Sequence, residues 1–116
     1  MTFTELVNKK IESINIQKLV SESNVQMIGQ HISELAQMLV RINQEVARRQ
    51  AMYNLCLNEF LTGDMKSVSH AKIAAEASPE WAELLNAKAL KESVVSLIQA
   101  LKYTQRSLKD EMDYTR

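Results

Sequence analysis

The sequence predicts an all-α fold: a long antiparallel helical hairpin with a shorter N-terminal helix, packed like a coiled coil and completed as an oligomeric bundle. Three observations predict it. The 116 residues include only two glycines and one proline, too few for the frequent turns of a strand-rich chain. From Val25 to Phe60, apolar residues recur at alternating steps of three and four, the signature of a helix sheathed lengthwise by another. Ser78-Pro79 then opens a second long amphipathic stretch, with serine as N-cap and proline at the first helical position.

A first helix is expected over residues 3–20. Thr2 and Glu5 make a capping box, and Phe3, Leu6, Val7, Ile11 and Ile14 follow at helical spacing. It should end near Val20, because the "SESN" that follows gathers side chains that compete for backbone hydrogen bonds. Ser23 and Gln26 can form a second capping box and restart the chain.

The second helix, residues 24–62, carries the seam. Val25, Ile32, Leu39, Val46, Tyr53 and Phe60 hold one heptad position. Ile28, Leu35, Ile42, Arg49 and Cys56 hold the other, with Arg49 its one charged member. At 1.5 Å per residue such a helix is roughly 55 Å long. Gly63 is placed to end it as a left-handed cap. A short helical connection over 66–76 contains Val68, Ile73, Ala74 and Ala75, whose alanines pack little area. The last helix, 79–113, starts with Glu80 and Glu83 where the helix dipole favours acids. Its broad apolar stripe runs through Trp81, Leu84, Leu85, Leu90, Val94, Leu97, Ile98, Leu101, Leu108 and Met112. The whole reads as one domain, residues 1–116.

Bulk chemistry excludes several roles. With 14 basic and 14 acidic residues the formal charge is zero, so no global field draws the chain to nucleic acid or to an anionic membrane. A single cysteine, Cys56, rules out an intrachain disulfide. No apolar run approaches the ~18 residues of a membrane span, and the start lacks the order of a signal peptide. The expectation is a cytoplasmic protein without membrane contact. No Gly-rich phosphate loop, nucleophile elbow or paired-acid constellation occurs, so no enzyme activity, cofactor or metal is expected.

Met27, Met38, Val40, Met52, Leu55 and Leu57 flank the seam on faces that one hairpin partner leaves partly bare. Exposed apolar surface of that extent marks a protein contact, which predicts a homo-oligomer, most simply a dimer, and a protein partner. The methionines at 27, 38, 52 and 65 fill gaps at such an interface or line an adaptable groove.

Candidate sites each have a plainer explanation. Arg49 could join Arg41 and Arg48 in a phosphate-binding cluster; alternatively its stem lies along the seam and its head pairs with Glu45, four residues earlier, or with an acid of another chain. Arg49 is then a register device, as polar seam residues often are. Lys102, Arg106 and Lys109 share one face of the last helix with Tyr103 beside them. Cations plus an aromatic suit single-stranded nucleic acid, by phosphate neutralisation and base stacking; Asp110, Glu111 and Asp113 would instead make this an ordinary solvated face. His31 and Glu34 lie one turn apart like half of a metal motif, but the apolar interior offers no matching ligands. His70 shows no ligand pattern, and Cys56 reads as a buried inert thiol.

From Arg41 onward the chain resembles a loose class of small helical proteins encoded by bacteriophages and prophages, often near replication or recombination genes. The likeness rests on "RRQAMYNLCLNEF", "HAKIAAEASPEW" and "ALKESVVSLIQALKYTQRSLKDE", taken in that order. It implies an accessory factor in phage DNA metabolism, in the host cytosol, that works through helix faces. Arg41, Arg48, Lys102, Tyr103, Arg106 and Lys109 are the candidate nucleic-acid contacts. A protein-protein inhibitor or adaptor, such as a counter-defence factor, and a structural coiled-coil subunit are the alternatives.

Overall fold

Strong local caps divide the described residues into five helices. A computed structural model describes residues 1–63 and 67–114, with α1 Phe3–Ser13, α2 Ile16–Ser21, α3 Val25–Thr62, α4 Val68–Glu76 and α5 Pro79–Tyr114. The fold is all-α, and α3 and α5 pack antiparallel. By contacts the chain divides into two compact units, Met1–Val40 with Glu92–Arg116, and Arg41–Lys91.

Within the first unit, α1 begins with both halves of the capping box between Thr2 and Glu5. The expected helix over 3–20 is interrupted at Ile14–Asn15, where both residues are extended. Asn15 causes the restart, since its side-chain oxygen accepts from the Lys18 amide at 3.1 Å and so satisfies an orphan donor of α2. A second difference follows. The N-cap of α3 is Asn24, which accepts from the Met27 amide at 3.1 Å, whereas Ser23 takes a left-handed φ of 50°. An asparagine carboxamide reaches the third amide of the helix, and the serine is used to turn the chain into that cap.

Val7, Leu19, Ile28, Leu35, Val94, Ile98, Leu101 and Leu108 are the buried apolar residues of this unit. On α5, Val94, Leu101 and Leu108 recur every seventh residue with Ile98 between them. The buried part of the α5 stripe is therefore a narrow seam, and Leu85 and Met112 lie exposed beside it. Gln105 donates from Nε2 to the Val25 carbonyl at 3.4 Å, and the same amide nitrogen lies 3.2 Å from where a Cβ on Gly29 would stand.

The Arg41–Lys91 unit is built around a mixed core. Tyr53, Ala75 and Leu84 form its buried cluster, with Leu57, Phe60 and Trp81 packed against it. The Tyr53 and Trp81 rings lie 4.9 Å apart at 45°, within the range of favourable tilted pairs. Burial pushes the Tyr53 phenol above its usual pKa, and the nearby Glu76 charge adds to the rise. On α4, Ala71 and Ala75 are fully buried and Ala74 is half-buried, while Val68 and Ile73 are exposed. Small side chains let a helix backbone approach closely, so the alanines face the core and the bulkier pair stays outside. Ser67 caps this helix by accepting from the His70 amide at 3.2 Å. Gly63 has no positive φ; a Cβ there would stand 3.1 Å from the Glu59 carbonyl, so glycine gives clearance rather than a left-handed cap. The expected helix start at Lys66, and Met65, lie outside the described residues.

Candidate functional site

Seven-residue recurrence places the seam of α3, and a single chain covers much of it. Ile28, Leu35, Ile42 and Tyr53 are buried, whereas Val25, Ile32, Leu39, Val46, Arg49, Cys56 and Phe60 are half-buried. Cys56 is thus a partly accessible free thiol rather than a buried one. The flanking Val40 and Leu55 are 60% and 65% exposed. Met27 and Met52 are also exposed, and Met38 and Leu57 are half-covered.

Arg49 lies where the seam calls for an apolar residue, and its head turns outward to acids. Its Nε donates to Glu45 at 2.8 Å, and its Nη1 also pairs with Glu83 of α5. Arg48 grips the same Glu45 with two donors, Nε at 3.2 Å and Nη2 at 2.9 Å. These bonds hold the Glu45 carboxyl below the usual range, those from Arg48 chief among them. The paired Glu45 in turn raises the Arg48 pKa. Arg48 and Arg49 are therefore both engaged by acids, which offset part of the positive charge of this cluster.

Lys102, Tyr103, Arg106 and Lys109 are all exposed on α5, within the first unit. Tyr103 is 74% exposed. Among the described residues no ion pair engages Lys102, Arg106 or Lys109. Asp110 and Asp113 stand one turn further along, exposed like the cations. Of the six candidate nucleic-acid contacts, α5 thus gathers four on one stretch of helix. Arg41 and Arg48 belong to the other unit.

One constellation escaped sequence reasoning. The Lys10 ammonium of α1 lies 2.9 Å from His31 Nδ1 and forms an ion pair with Glu34. The Lys10 side chain is only 15% exposed, so this cation is largely withdrawn from water. His31 and Glu34, one turn apart on α3, thus hold an ammonium. Their spacing marked them as a pair, but the partner lies 21 residues from His31 and no local pattern announces it. The bond from Lys10 keeps the Glu34 carboxyl below its usual range. Burial lowers the His31 pKa, the Lys10 charge lowers it further, and Glu34 partly opposes both.

Among the described residues no helix is long and apolar enough to cross a membrane. No known protein family, curated protein or solved structure matches the chain.

Proposed function

We propose that this is a non-enzymatic helical binding protein, an accessory factor in phage or prophage DNA metabolism, whose outward α5 face takes single-stranded nucleic acid. One observation carries the reading: Lys102, Arg106 and Lys109 stand exposed beside Tyr103 on α5, with no described acid pairing them. Three such cations neutralise phosphates and release counterions, and an open phenol ring gives a base a surface to stack on. The phage context rests on the resemblance of the segments from Arg41 onward. Arg41 and Arg48 are secondary contacts, the latter with its charge partly offset by Glu45.

Titration of a short fluorescent single strand by anisotropy tests this. At low salt the strand should bind, with a log–log salt slope of about −2 for three phosphates. Lys102→Glu with Arg106→Glu should abolish binding while circular dichroism is unchanged. Absence of binding by the wild-type chain at low salt ends the proposal.

A second reading, a protein-protein inhibitor, adaptor or structural coiled-coil subunit, is favoured by a different observation. Val40, Leu55, Val68 and Ile73 are each at least 60% exposed. Self-association through such faces would give a homo-oligomer, and a mass of 13.2 kDa in solution at micromolar concentration would exclude it. Charge reversal on α5 leaves this second activity intact, which separates the two.

A further inference from the structure

The contact between α1 and α3 joins two nitrogens. At 2.9 Å from His31 Nδ1, a Lys10 ammonium can only donate, having no lone pair. Nδ1 must therefore be the acceptor, and a neutral ring in this contact carries its hydrogen on Nε2. A protonated imidazole would present a second N–H donor and a second positive charge at the same place. We propose that α1 is a proton-loosened clasp: Lys10 fastens it to α3 through both His31 and Glu34 while His31 is neutral, and protonating the imidazole removes the first of these bonds and loosens the helix.

The charged surroundings of His31 decide whether the clasp opens. From α1 comes Lys10, which opposes protonation. From its own helix comes Glu34, which favours protonation, but its carboxylate is already paired with Lys10. Lys18 and Glu22 of α2 line the same groove as His31, together with Ser13, Asn15, Leu19, Asn24 and Met27; the two bear opposite charges. To this stretch of α3, α5 presents the neutral Gln105, beside Gly29. Burial and Lys10 outweigh Glu34, so the folded imidazole binds its proton less readily than a free one.

The sign follows. A histidine whose pKa is depressed in the folded state adds stability at higher pH. That stability begins to be lost as pH falls below the ordinary imidazole value of about 6.5, and the loss is complete below the folded-state value. Glu34 acts in the same direction but only below the ordinary carboxylate value of about 4.3, so the two steps are separable. Opening would uncover Val7, which is fully buried, together with whatever it covers.

Amide hydrogen exchange on the full chain, corrected for intrinsic rates, tests the clasp. Between about pH 7.5 and about pH 5, protection across Phe3–Ser13 should fall, while the Leu97–Leu108 stretch of α5 changes little. His31→Gln retains an acceptor for Lys10 that does not titrate in this range, so its α1 protection should stay level. Lys10→Met removes the repelling charge but not the burial of the ring, and should lessen the pH dependence without abolishing it. Unchanged α1 protection in the wild type, or an equal fall in His31→Gln, overturns the proposal. Should His31→Gln not fold, the imidazole proton resonances of the wild type decide: a titration midpoint below the ordinary value supports the clasp, and one at or above it refutes it.

Discussion

The two units of the chain reach a defined alignment by different chemistry. In Met1–Val40 with Glu92–Arg116, the buried residues are all aliphatic, and on the long helices most recur every seventh position, as Ile28 and Leu35 do on α3 and Val94, Leu101 and Leu108 on α5. In Arg41–Lys91 the buried Ile42 and Leu84 are joined by an aromatic pair, two alanines and a guanidinium held by two acids. A repeating aliphatic pattern fits itself again after a slip of one heptad, so burial alone specifies register weakly. Arg49 with Glu83, and Tyr53 with Trp81, do not repeat along the helices, and each matches in one alignment only. The comparison teaches that the first unit supplies cohesion and the second supplies register.

The largest expected effect breaks the cohesive side. Leu35→Ala leaves a cavity at a fully buried site and should lower stability by about 2–5 kcal/mol in urea unfolding. Trp81→Ala, at a half-buried site, should cost about 2 kcal/mol and should blur rather than abolish the fold of its unit. If the tryptophan change proved the more damaging, the division of labour would be reversed.

Arg49→Leu sharpens the comparison because it restores an unbroken apolar seam. Exposed and half-exposed ion pairs are worth about 0–1 kcal/mol, so the equilibrium stability should move by no more than about 1 kcal/mol. Uniqueness should suffer instead: distances between spin labels on α3 and α5 should broaden or split. A single sharp distance distribution in this variant would show that the aromatic pair alone sets the alignment. Least of all, Ser23→Gly should raise stability by about 0.5 kcal/mol, since a left-handed φ strains serine and suits glycine, with thermal unfolding as the measure.

Much of the fold was legible because it is written in local spacing. The seam from Val25 to Phe60, the Thr2–Glu5 capping box and the Ser78-Pro79 start all rest on residues within a few positions of each other. The break at Ile14–Asn15 was equally local but went unread, because a lone asparagine between apolar residues is a weak signal beside the amphipathic pattern around it. The inward face of α4 was not legible for a physical reason: hydrophobicity ranks isoleucine and valine above alanine, whereas close helix approach rewards the smallest side chain. What could not be read was contact between distant positions. Nothing near Lys10 points to His31, and nothing near Arg49 points to Glu83. For the candidate binding face, the sequence grouped Lys102, Tyr103, Arg106 and Lys109 through helical spacing, which is local. It added Arg41 and Arg48 by charge alone, without the knowledge that Glu45 already engages Arg48.

The tilted pair of Tyr53 and Trp81 has an experimental consequence. Trp81 is the only indole in the chain, and it stands among the core residues of Arg41–Lys91. Its emission is a spectroscopic window on that unit, while α1 carries no fluorophore brighter than Phe3. Ultraviolet emission and backbone dichroism therefore sample different parts of the molecule, and a melt followed by both reveals whether the two halves come apart in one step or in two.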